Sequence, residues 1–150
     1  MLPTPAHAPT PPFPADKVAV FERDWERRSR HRVMLEAVGC QTAGFDTLES
    51  LVAACRTRKQ GFDLLLLASA GDVGSVAACL EAIEVERLRT LPLLLILEER
   101  QVHAVHGIAR AAPSDFILYP FGADELRCRV RRLGLATARP VALAVEENDQ

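Results

Sequence analysis

No stretch of this chain stays apolar over the thickness of a bilayer; the runs at 64–70 and 91–97 have the length of strands. Residues 1–15 lack the basic stretch and apolar core of a secretory signal, so cytoplasm is the expected compartment and no membrane partner is expected. The four cysteines, Cys40, Cys55, Cys79 and Cys128, form no Cys-x-x-Cys pair. That argues against a zinc knuckle or a disulfide framework and for reduced, packed thiols. A formal net charge of −2 supplies no general attraction to nucleic acid or anionic lipid. No glycine-rich phosphate loop follows the first apolar run, where Glu22-Arg23-Asp24-Trp25 is bulky and charged. No Ser/His/Asp or Cys/His constellation stands out, so neither catalysis nor a cofactor is expected.

What the chain does have is 49% hydrophobic against 25% charged residues over 150 positions, enough for one domain with a real core. Residues 1–16 hold most of the prolines and read as a disordered leader of polyproline character. Residues 17–134 carry the domain, and 135–150 read as a tail or a linker to an output domain. Val18-Ala19-Val20-Phe21 is a first buried strand. Asp24 caps a helix that Gly39 ends by tolerating left-handed backbone. A short strand at 40–45 precedes a helix capped by Asp46 or Thr47 and running to about 58, with Leu48, Leu51, Val52 and Cys55 on one face. Gly61 turns into the strongest strand, 63–67. A third helix begins at Asp72 and carries Val76, Cys79, Leu80 and Ile83. Strand 93–97 follows Pro92, a fourth helix spans roughly 100–111, and 116–118 is a fifth strand. The last helix, 122–133, points Leu126, Val130 and Leu133 inward.

Five strands alternating with five helices predict an α/β fold, and the strands' unbroken apolar runs predict a parallel sheet covered on both faces. The pattern fits the flavodoxin-like doubly wound (βα)5 three-layer sandwich, sheet order 2-1-3-4-5. Its crevice lies at the carboxyl ends of the first and third strands.

The segments Val18-Ala19-Val20-Phe21-Glu22-Arg23-Asp24, 63–68 and 92–97 follow one another at suitable spacing. Ser114-Asp115-Phe116-Ile117-Leu118-Tyr119-Pro120-Phe121 comes next, with Asp124-Glu125-Leu126 and Arg129-Val130-Arg131 after it. Over 17–133 this resembles a bacterial response-regulator receiver domain, most of all the receivers that precede winged-helix DNA-binding domains. In that family two acids after the first strand hold magnesium, and an aspartate ending the third strand accepts a phosphoryl group. A Ser or Thr and a Lys ending the fourth and fifth strands contact that group. A hard cation needs several carboxylate oxygens, and a phosphoryl group needs its charge neutralised. Matched by position, the acid pair is Glu22 and Arg23, the acceptor is Ala68, the hydroxyl is Leu97 and the lysine is Tyr119. Only Glu22 keeps usable chemistry. A slip of one residue would bring Ser69 or Glu98 to the site, and neither is an aspartyl acceptor.

Other groups carry less. Asp72 reads as a helix cap, and Arg23 between Glu22 and Asp24 would repel a magnesium ion. His103 and His106, at i and i+3, lack a third ligand and read as surface residues. The Arg27-Arg28-Ser29-Arg30-His31-Arg32 run, offset by neighbouring acids, reads as a solvated helix face. Receivers of this subtype pair through the face of the fourth helix, fifth strand and fifth helix. On it Arg110, Asp115, Glu125, Arg129 and Arg131 supply both signs of charge. The resemblance therefore implies a non-phosphorylatable pseudo-receiver, a homodimerising or partner-binding module in signal transduction. It would be the N-terminal part of a transcriptional regulator, reaching DNA only through an output domain. The competing expectations are a small-ligand sensor using the crevice that Ala68, Leu97 and Tyr119 have made less anionic, or a stand-alone adaptor.

Overall fold

The computed structural model describes residues 17–57, 61–68, 73–84, 88–105 and 112–138. The expected leader and most of the expected tail lie outside the described residues, as do Ser69, Asp72, His106 and Arg110. Strands β1 (Lys17–Phe21), β2 (Gln41–Phe45), β3 (Leu64–Ala68), β4 (Leu93–Leu97) and β5 (Ser114–Leu118) form one parallel sheet in the order β2-β1-β3-β4-β5. Helices α1 (Trp25–Ala37), α2 (Leu48–Arg56) and α3 (Val73–Ala82) make the crossovers, and α4 (Ala123–Ala138) follows β5. This is the flavodoxin-like architecture expected from the sequence.

Two layers of side chains explain why the strands are apolar without alternation. Phe21, Leu65, Leu67, Leu93 and Leu95 pack under Leu51 and Cys55 of α2 and Cys79 and Leu80 of α3. Val18, Val20, Leu64, Leu66, Leu94 and Ile96 pack on the other face under Leu35 of α1 and Leu126, Val130 and Leu133 of α4. Every residue of β3 and β4 is buried, and each such leucine contributes about 1.5–3 kcal/mol relative to exposure.

Local signals set the helix that borders the site. Asp24 has extended backbone and its carboxylate accepts from the Arg27 N–H at 2.9 Å, an N-cap. At the other end the Gly39 N–H donates to the Glu36 carbonyl and the Cys40 N–H to the Leu35 carbonyl, with Gly39 at φ 101°. That pair of bonds is a Schellman motif, and Leu35 and Cys40 both enter the core beside it.

Two expectations need correction. The described part of the fourth helix is a 3-10 turn, Glu99–Val105. The Gln101 N–H donates to the Glu98 carbonyl at 2.8 Å, an i to i−3 bond, while Gln101 Oε1 accepts from the Glu98 N–H at 2.7 Å. The side chain thus closes a tight turn on itself, in the manner of one half of a capping box. The last helix also runs beyond the expected 133, from Ala123 to Ala138.

Candidate functional site

The carboxyl ends of β1, β3 and β4 meet the residue after β5 in one cleft, lined by Glu22, Arg27, His31, Ala68, Ile96, Leu97, Glu98, Gln101 and Tyr119. It has room for about one water molecule. Its floor is apolar, and three polar residues are buried in its walls: Glu22 at 1% exposure, His31 at 3% and Gln101 at 0%.

Each is held by its own element. Glu22 follows β1, where its Oε2 accepts from the Asp24 N–H at 3.0 Å. The Arg28 guanidinium on α1 donates to the Glu22 carbonyl at 2.8 Å and pins the chain as it leaves the strand. Arg28 and Arg32 lie across β2 because position 44 is glycine: a Cβ there would stand 3.1 Å from Arg32 Cδ and 3.2 Å from Arg28 Cδ. His31, two turns into α1, stacks on Phe121 with ring centroids 6.1 Å apart, and its Nε2 lies 3.7 Å from Glu22 Oε1. That is too long for a hydrogen bond. At the mouth the Arg27 guanidinium lies 5.0 Å over the Tyr119 ring, a cation–π contact, and Arg30 donates to the Tyr119 hydroxyl at 3.4 Å. The Tyr119-Pro120 peptide bond is cis.

Of the five positions matched to phosphoryl chemistry, Glu22, Ala68, Leu97 and Tyr119 come together in this cleft. Arg23 does not line it. Its side chain is exposed, and its charge acts toward Cys79 on the α3 side of the sheet. Burial pushes the Cys79 thiol up, and Arg23 opposes that shift. Arg27 is the cation that lines the cleft instead. Glu98, the residue one step beyond the expected hydroxyl position, lines it too, with its Oε1 accepting from Arg100 at 3.2 Å.

A magnesium ion requires near-octahedral oxygen ligands. The cleft offers the carboxylates of Glu22 and Glu98, but Glu22 already accepts from Asp24 and faces His31, Glu98 accepts from Arg100, and Arg27 brings a positive charge. No group of three or more His, Cys, Asp or Glu able to hold a metal occurs among the described residues. The described residues of the cleft do not fit the ion.

The charged residues expected on a contact face also have definite places. Asp115 accepts from Arg129 through both carboxylate oxygens, at 2.9 and 3.1 Å, and Arg132 approaches it at 3.7 Å. Arg129 also meets Glu125 at 3.6 Å. Asp115, Glu125 and Arg129 are therefore paired within the chain, while Arg131 is exposed on α4. Phe116 and Leu118 are the exposed apolar residues of β5, at 38% and 39%.

His31 and Gln101 are site residues that reading the sequence missed. The arginine-rich run around His31 suggested a solvated face, whereas His31 is buried and Arg28 and Arg32 are only half-exposed. The histidine in register with an inward-facing Leu35, four residues on, was the available signal. For Gln101 the signal was weaker, a glutamine three residues after the end of an apolar strand.

No family model matches this chain, and no curated protein does. Solved structures do match. The receiver domain of a signal transduction histidine kinase from Syntrophus aciditrophicus is 21% identical, with a TM-score of 0.67 over 83% of this chain and 94% of that one. NtrX from Brucella abortus is 23% identical, with a TM-score of 0.68 over 90% of this chain and 29% of that longer protein. The receiver domain of the sensor histidine kinase PA1611 from Pseudomonas aeruginosa PAO1 has a magnesium ion coordinated in its active-site cleft. It is 17% identical, with a TM-score of 0.57 over 80% of this chain and 98% of that one. Strand order, crossovers and these likenesses agree that the chain has the flavodoxin-like fold of bacterial receiver domains.

Proposed function

We propose that this chain is a pseudo-receiver, a signal-transduction module that works by binding other proteins and does not carry a phosphoryl group. One observation carries the reading: Ala68 occupies the carboxyl end of β3, at the floor of the cleft, where a receiver needs its aspartate. An alanine methyl cannot form an acyl phosphate. Leu97 and Tyr119 beside it offer no ammonium and no small hydroxyl to neutralise one, and Glu22 lacks the second acid that a magnesium ion would need. The module is neither a kinase substrate nor an enzyme in this reading. A small-ligand sensor is the less favoured reading, because the part of the cleft lined by described residues has room for about one water.

The contact surface in this reading is the β5 edge with the adjoining side of α4. It combines exposed Phe116 and Leu118 with the exposed cation of Arg132, which reaches Asp115 of β5 at 3.7 Å. Homodimerisation there, in the cytoplasm and in service of transcription, is the specific form we favour. Among the described residues no helix is long and apolar enough to cross a membrane.

Incubation with acetyl phosphate and magnesium, read by intact mass, tests the central claim. The expected result is no phosphoryl adduct on the wild type, and none on Ala68→Asp alone, because the cation site stays incomplete. An adduct on the wild type that survives only until acid or hydroxylamine treatment would overturn the reading.

A further inference from the structure

Two buried hydrogen-bonding atoms in the cleft, His31 Nε2 and Gln101 Nε2, have no partner in the protein. Leaving a buried polar atom unpaired is unfavourable, and such atoms in folded proteins are satisfied by protein or by bound water. Both belong to residues that line the same small space, together with Glu22, whose Oε1 stands 3.7 Å from His31 Nε2. At that separation the two atoms are too far apart to bond each other, and a single molecule seated beside them can reach both.

The chemistry of the walls narrows the occupant. Gln101 Oε1 accepts from the Glu98 N–H, so its amide nitrogen is fixed as the group facing the cleft and can only donate. Glu22 Oε1 can accept. The occupant must therefore accept a hydrogen bond from one wall and donate one to the other. A simple cation has no lone pair for Gln101 and is opposed by Arg27. A halide or a deprotonated oxyanion has no proton for Glu22 and is opposed by its carboxylate. A neutral molecule with both functions satisfies all three groups, whichever tautomer His31 adopts: its oxygen accepts from Gln101, and its hydrogens or remaining lone pair serve Glu22 and His31. With room for about one water, the space selects water itself.

We propose that the cleft is a binding site for one water molecule that joins Gln101 Nε2, His31 Nε2 and Glu22 Oε1. The water ties three separate pieces of the fold: the end of β1, the middle of α1 and the 99–105 turn. It occupies the side of Glu22 that would otherwise be open to a cation, and it fixes the 3-10 turn that follows β4 to the sheet. The inference rests on the cleft's geometry and holds whether or not Ala68 is a lost phosphorylation site.

A high-resolution crystal structure of the wild-type chain, with parallel crystals soaked in bromide and in manganese, tests it. The expected result is one ordered water within hydrogen-bonding distance of all three atoms, unchanged in both soaks. Bromide or manganese anomalous signal in the cleft, or an empty cleft with Gln101 turned to another partner, would overturn it. A second measurement uses His31→Phe and Gln101→Leu. Each is expected to accelerate amide exchange of the 99–105 turn, and the double variant by no more than the larger single effect, because both remove one bridge. Multiplying effects would show that the two residues act separately and would also overturn the proposal.

Discussion

In the cleft, Glu22 and His31 lie 3.7 Å apart with almost no contact with solvent, and a third polar side chain, Gln101, is as deeply buried. Along β5 and α4 the charges are nearer to solvent and paired repeatedly, with Asp115 held by Arg129 at 2.9 Å and approached by Arg132. Polar groups of the two regions differ in physical weight. The Asp115–Arg129 pair is part-buried, at 17% and 32% exposure, and more exposed pairs, screened by water and salt, contribute about 0–1 kcal/mol each. Buried polar groups must be satisfied by specific neighbours, so the cleft tolerates few alternatives. The paired face can lose members and fold as before.

Substitutions can break or sharpen that contrast. Ala68→Leu should have the largest effect, a loss of about 1–3 kcal/mol in urea unfolding, because added methylenes overpack a space that holds one water. A loss near zero would mean a roomier cleft and would revive the small-ligand reading. Asp24→Ala, at the cleft's rim, removes the α1 cap and should lower stability by about 0.5–2 kcal/mol, with little dependence on salt. Asp115→Asn should cost no more than about 1 kcal/mol, and raising the salt concentration should shrink even that difference. A larger, salt-independent loss would place Asp115 with the buried groups. Finally, Leu118→Asp or Arg132→Glu should weaken self-association in sedimentation at several concentrations and leave the unfolding midpoint nearly unchanged. A wild type that stays monomeric and recruits no partner would remove the β5 edge from the proposal.

The fold was legible because the apolar runs of β3 and β4 are buried on both faces, and runs this short, with Gly61 before one and Pro92 before the other, suit central parallel strands. Asp24 and Gly39 marked the ends of α1 by chemistry that acts over a few residues, which sequence displays directly. Ala68 was legible for a related reason: its place follows from where a strand stops. Arg23 was assigned to the cleft by adjacency to Glu22, but neighbouring residues leaving a strand point in different directions, and Arg27, one helical turn further on, reaches the cleft instead. His31 and Gln101 were hidden because a polar residue in a charged run or a turn looks solvated until distant elements close over it. The 3-10 turn was hidden too, since its tightness comes from Gln101 folding back on Glu98, a contact that periodicity does not encode.

Gly44 offers a remote handle on the cleft. It belongs to the edge strand β2 and is not among the residues that line the site. Yet the missing methyl at 44 is the clearance through which Arg28 passes to grip the carbonyl of Glu22. A side chain there would crowd that arginine, and the pressure would be passed on to the chain segment carrying Glu22. The site can thus be tuned from the edge strand beside β1, by adding a few atoms to a residue that does not line it.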